Sequence, residues 1–88
     1  MSWSIHYKPA ARRALTESLP EAVAVAALEL IEGDLRQEPF RVGKPLEEPF
    51  EGLHSARRGT YRIIYRIVAD RGVIEIHSIR HRRDVYRF

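Results

Sequence analysis

From Thr60 to Val68 the side chains alternate with a period of two, which is the spacing of a β-strand and not of a helix. Tyr61, Ile63, Tyr65 and Ile67 line one side, and Thr60, Arg62, Ile64, Arg66 and Val68 line the other. β-branched and aromatic residues favour such a pleated, half-buried surface. The rest of the chain must therefore supply neighbouring strands and a cover for the Tyr61 side. Turn signals flank the run, Arg58-Gly59 before it and Ala69-Asp70-Arg71-Gly72 after it. Leu53 to Arg57 and Val73 to Ile79 read as the adjoining strands. Three consecutive strands with short links predict an antiparallel meander.

The first half supplies the cover. Ile5 and Tyr7 alternate with Ser4 and His6, a short first strand. Pro9 stands where a helix can begin without losing a hydrogen bond, and Ala10 to Glu17 continue it, with Ala11, Ala14 and Leu15 on one side. Ser18-Leu19-Pro20-Glu21 matches a capping box. The second helix is expected from about Leu19 to about Leu35, burying Val23, Ala26, Ala27, Leu30 and Ile31. So short a break makes the two helices a hairpin. Gln37 to Gly52, broken by Pro39, Gly43, Pro45 and Pro49, is expected to be irregular, and long loops are often functional. The fold class is α+β. Over residues 1–88, expected to form a single domain, the N-terminal strand and helical hairpin pack on a mainly antiparallel sheet that includes the C-terminal meander. The opposite sheet face, which carries arginines, stays open. One constraint comes with this fold. Ile74, Ile76, Ser78, Arg80 and Arg82 share strand parity, so a bulge or the end of the helix cover must intervene near Ser78 to keep arginine out of the core.

The chain has 88 residues and no cysteine, which excludes disulfides, thiolate zinc sites, iron–sulfur clusters and a cysteine nucleophile. No apolar run approaches the roughly 20 residues of a membrane helix. The start, Met1-Ser2-Trp3-Ser4-Ile5-His6-Tyr7, lacks the basic-then-apolar order of a signal peptide. A cytoplasmic protein without membrane contact is expected. The net charge of +3 hides an asymmetry. Residues 1–51 carry six Lys and Arg against nine acids, whereas residues 52–88 carry nine cations, all Arg, against three acids. A guanidinium is a planar, permanently charged fork of donors, suited to phosphates and to stacking on bases. A basic face that grips an acidic protein reads the same from charge alone.

Two places concentrate chemistry. Arg62 and Arg66 share the polar side of their strand and are expected as same-face neighbours about 7 Å apart, unless they are simply solvated. Arg80-His81-Arg82-Arg83-Asp84-Val85-Tyr86-Arg87 combines a proton-exchanging imidazole, cations that stabilise charge on a phosphate and a tyrosine that can stack on a base. Such a set can bind RNA, drive its 2′-oxygen onto phosphorus and cleave it; the plainer reading is a basic tail that holds a partner. His6, His54 and His77 lie in strands and read as structural. No histidine spacing matches a metal site, and there is neither a Gly-rich phosphate loop nor a nucleophile elbow. Carboxylates in the second half are too few for a paired-carboxylate hydrolase.

Three stretches carry a resemblance: Gly43-Lys44-Pro45-Leu46, Gly52 through Tyr65, and Ile79 through Arg87. They resemble the RelE/ParE toxin superfamily, the RelE branch best, and the similarity spans nearly the whole chain. Its most specific parts are the Tyr-Arg-hydrophobic-hydrophobic-Tyr strand and the terminal His-Arg-Arg-Asp-Val-Tyr-Arg. The resemblance implies a RelE-like fold and a toxin of a type II toxin–antitoxin module that cuts mRNA in the ribosomal A site. The 2′-hydroxyl would attack the adjacent phosphate to leave a 2′,3′-cyclic phosphate, with no metal and no cofactor. It implies that Arg62, Arg82 and Tyr86 serve phosphate stabilisation, acid catalysis or base stacking. Lys44, Arg57, Arg58, Arg66, Arg80 and Arg83 are expected to bind RNA, and either Arg82 or Arg83 faces the substrate. Well-studied RelE toxins carry two lysines, two apart, in the strand before the Tyr-Arg strand; Leu53 and Ser55 stand there in this chain. Lys44, Arg57 and Arg58 are expected to replace the charge, and His81 the proton acceptor, because an imidazole of ordinary pKa near 6.5 suits that task better than a guanidinium. The implied partners are the ribosome with its mRNA and a cognate antitoxin that masks the arginine face. A ParE-like inhibitor of DNA gyrase, or a degenerate toxin that only binds its antitoxin, remain alternatives.

Overall fold

The computed structural model describes residues 3–81. Strand β1 (Ser4–Tyr7) leads into helix α1 (Pro9–Arg13), which runs on through a π-helical turn, Ala14–Ser18. Helix α2 (Glu21–Leu30) likewise runs on through Ile31–Leu35, and a short helix α3 (Pro39–Val42) follows. The remaining elements are β2 (Lys44–Pro45), β3 (His54–Arg58), β4 (Tyr61–Val68) and β5 (Val73–His81). They form one five-stranded sheet in the order β1-β5-β4-β3-β2. Among the described residues β1 pairs with β5 in parallel, and the other strand pairs are antiparallel. The expected α+β architecture, with its helical hairpin and three-strand meander, is what forms.

The helices cover one sheet face. Ala11, Ala14, Ala27, Leu30, Ile31 and Leu35 meet Ala56, Tyr61, Ile63, Tyr65, Ile74, Ile76 and Ile79 in one core. Each large aliphatic side chain buried there contributes about 1.5–3 kcal/mol. The predicted apolar stripe shifts slightly: Ala24 is buried, while Val23 and Ala26 only pack against the edge of the core. The expected capping box does not form. Pro20 is the N-cap of α2, with no side-chain cap, because Ser18 is spent closing the preceding helix. There the Leu19 N–H reaches five residues back to the Ala14 carbonyl at 2.9 Å.

The segment expected to be irregular is more ordered than its prolines suggest. Pro39 begins α3, and Pro45 sits on an edge strand, where its missing N–H costs nothing. Gly43 is needed for close approach: a Cβ there would lie 2.9 Å from the Ser55 carbonyl oxygen and would run into the Tyr65 ring. The Tyr65 hydroxyl donates to the Pro39 carbonyl at 2.6 Å, so a core residue of β4 ties α3 to the sheet. The Leu46 N–H bonds the Leu53 carbonyl at 2.9 Å and closes the loop between β2 and β3.

The constraint on β5 is met by a bulge. Ser78 pairs with Ile64 and Ile76 pairs with the next residue, Tyr65, so His77 is the extra residue. One inserted residue reverses the alternation. Ile74 and Ile76 face the core before it and Ile79 after it, which turns Arg80 to the other side.

Candidate functional site

The face without helices is built by register. Arg57 of β3 lies directly opposite Arg62 of β4, and Arg62 lies directly opposite Arg80 of β5. Directly opposed residues share a sheet face, with strands spaced about 4.8 Å apart. Since Ile63 and Ile79, the next residues along, are buried in the core, the arginine row points away from the helices. A second row runs beside it: Lys44 opposite Ser55, Ser55 opposite Ile64, and Ile64 opposite Ser78. Arg66 stands farther along β4, opposite Glu75. It is not the adjacent neighbour of Arg62 that was expected. Four residues along a strand span about 13 Å, and Ile64, itself buried, stands between them.

Like charges directly opposed across strands are destabilising. Among the described residues neither Arg57 nor Arg62 has a carboxylate in ion-pair contact. Such a row is poor for the fold and well suited to an anion that bridges it. The Arg66 end is different. Burial pushes the Glu75 carboxyl up, but a hydrogen bond with His77 and the charges of Lys8 and Arg66 outweigh it and hold the group below the usual carboxylate range. The His77 Nε2 lies 3.4 Å from the Glu75 Oε1. That end therefore carries its own counter-charge.

The other expected site residues fall elsewhere. Arg58 alternates to the helix side, where its Nη2 lies 3.4 Å from Asp34 Oδ2. His81 is opposite Tyr61, so alternation turns it to the helix side as well, away from Arg62. Arg82, Arg83 and Tyr86 lie outside the described residues. His54 is structural, as read from sequence: it stacks on Tyr65 at 5.5 Å and meets Phe40 edge-on at 6.2 Å. Burial lowers its pKa. Among the described residues no group of three or more His, Asp or Glu is arranged to hold a metal ion. The row itself went unseen in the sequence, though part of it was legible. Gly59, with φ +60, and Thr60 form a two-residue turn, which forces Arg58 opposite Tyr61 and hence Arg57 opposite Arg62.

A family model described as the ParE toxin of the type II toxin–antitoxin system parDE matches residues 4–86. Toxin RelG of Mycobacterium tuberculosis is 44% identical over 87 residues, 99% of each chain. Toxin RelE of the same organism is 46% identical over 71 residues, 81% of this chain and 73% of that one. The toxin–antitoxin complex RelBE2 from M. tuberculosis superposes with a TM-score of 0.88 at 41% identity, covering 93% of this chain and 100% of the matched chain. The isolated Escherichia coli RelE toxin shares the fold, with a TM-score of 0.73 at 13% identity over 91% of this chain and 84% of that one. The chain belongs to the RelE/ParE superfamily, as a RelE-like toxin of a type II toxin–antitoxin system.

Proposed function

We propose that the protein is a metal-independent endoribonuclease that cuts mRNA in the A site of the ribosome. The observation that carries this reading is the cross-strand register of Arg57, Arg62 and Arg80. When a 2′-oxygen attacks phosphorus, negative charge grows on the equatorial oxygens until the 5′-oxygen leaves. Fixed guanidiniums stabilise that charge without reorganising, and removing one such donor costs about 10²–10³ in rate. Arg62, central in the row, acts on the scissile phosphate, with Arg57 and Arg80 beside it. By the family resemblance, Arg82 adds a further cation and Tyr86 a stacking surface from the chain's end. Because His81 is turned away from Arg62, charge stabilisation contributes more than an imidazole base. The ribosome supplies what so small a site lacks, an mRNA held in reactive geometry. The toxin works in the cytoplasm, and a cognate antitoxin of acidic or amphipathic character silences it by covering the cations, a pairing supported by the similarity to a toxin held in the RelBE2 toxin–antitoxin complex.

Induced expression of the wild type beside Arg62→Ala, with mapping of mRNA 5′ ends, tests the reading. A-site-phased cuts that vanish in the variant support it; equal cutting by both overturns it, and cuts confined to naked transcript defeat the ribosome dependence. The ParE description of the matching family favours a second reading, inhibition of DNA gyrase. Loss of supercoiling activity without any RNA cleavage would establish that one instead.

A further inference from the structure

Resting on the nuclease reading, we infer that Lys44 forms a second phosphate subsite, which holds the nucleotide next to the one at Arg62. The inference starts from β2. This strand has only two residues, and its register is fixed: Lys44 opposite Ser55 and Pro45 opposite His54. Gly43, wedged against Tyr65 and the Ser55 carbonyl, anchors the strand at its start. His54 is on the helix side, stacked on Tyr65, so alternation gives Lys44 the face of the arginine row.

The distances suit one continuous strand of RNA. One strand spacing and two residues along it separate the backbones of Lys44 and Arg57 by about 8 Å, and two strand spacings put Arg62 about 12 Å from Lys44. Ser55, between Lys44 and Arg57 on this face, is small and leaves the surface open for a long side chain to lean across. Lys44 is exposed, and among the described residues it has no carboxylate in ion-pair contact. An ammonium on a flexible stem is a point charge that needs no fixed approach, which suits a phosphate that is gripped but does not react. The competing explanation is that Lys44 guards a sheet edge, since edge lysines discourage strand-to-strand association.

Single-turnover cleavage of mRNA on programmed ribosomes, with toxin concentration varied, separates these roles. For Lys44→Ala the half-saturating concentration is expected to rise about tenfold, while the rate at saturation stays within about twofold. Dependence of the half-saturating concentration on salt should weaken by about one unit of log–log slope. Lys44→Arg should retain binding, because it keeps the charge at the same register position. Arg62→Ala, run alongside, should lower the rate at saturation. If Arg62→Ala behaves so and Lys44→Ala matches the wild type, the subsite is refuted while the nuclease reading stands. If Lys44→Ala changes only the oligomeric state in sedimentation, Lys44 is an edge guard and the inference falls. If Arg62→Ala cleaves at the wild-type rate, the nuclease reading fails and takes the subsite with it.

Discussion

If the arginine row serves an anion and not the fold, removing its central charge should make the protein more stable. Arg62 has a like charge directly opposite on each side, Arg57 and Arg80. Two guanidiniums about 6 Å apart repel by about 0.7 kcal/mol in a medium as polarisable as water. Opposed pairs across strands are worth about 0.2–1 kcal/mol. Counting the Arg57 pair in full and the Arg80 pair in part, Arg62→Gln should gain about 0.5–1 kcal/mol at low salt. Glutamine keeps much of the packing of the stem, so little of that gain is lost to a cavity. At 1 M salt the screening length is about 3 Å, and the difference should nearly vanish. Urea denaturation of wild type and variant at about 0.05 M and 1 M NaCl measures both numbers, with the low-salt gain equal to a rise of roughly 2–8 °C in the melting midpoint. Arg58→Gln is the control. Its partner is Asp34, in an exposed pair worth about 0–1 kcal/mol, so its loss should be neutral or destabilising. A variant Arg62→Gln less stable than wild type at low salt, or a gain indifferent to salt, would refute the electrostatic account. The stabilised protein should also be inactive, since stability and activity compete for the same charge.

Other consequences follow from the packing. Burial raises the Tyr65 hydroxyl to about 12, against an ordinary value of 10. In the unfolded chain this group ionises first, so its contribution is fully present below pH 10 and is lost as pH rises toward 12. Urea midpoints followed through this range should fall less steeply for Tyr65→Phe, which at neutral pH should cost about 1–2 kcal/mol for the Pro39 carbonyl left without its donor. Gly43→Ala should destabilise by about 1–3 kcal/mol through the contact with Tyr65 and Ser55, and hydrogen exchange should show β2 loosening before the rest of the sheet. Ile63→Ala, at a fully buried position, should cost about 2–5 kcal/mol in thermal or urea unfolding. It should leave cleavage intact below the melting range, because Ile63 faces the core and not the row.

Strand β4 was legible because its two sides differ in chemistry, and a period of two with one apolar side leaves a single orientation. The helices were legible for the same reason, their stripes pointing at the Tyr61 side. The segment from Gln37 to Gly52 was not, because proline and glycine signal breaks only when local geometry decides. Here Gly43 answers to the Tyr65 ring, Pro39 to the start of α3, and Pro45 to the edge of the sheet that the described residues form. The reasons at Gly43 and Pro45 are tertiary, while the one at Pro39 is the local rule that also starts α1 at Pro9. Arg57 and Arg58 show the same limit at the site. They are adjacent in sequence and equal in charge, yet one joins the row and the other pairs with Asp34, a division set by a two-residue turn.

The third member of the row depends on a single inserted residue. Without the bulge at His77, Arg80 would share the side of Ile74 and Ile76, and Ile79 would point out. Burying that guanidinium would cost several kcal/mol unless it were paired, and the exposed isoleucine would forfeit about 1.5–3 kcal/mol. The composition of β5 called either for a parity change near Ser78 or for the helix cover to end there, and the bulge is the solution the strand adopts. The same change that protects the core delivers Arg80 opposite Arg62. In this strand the demands of folding and the assembly of the candidate site are met by one residue.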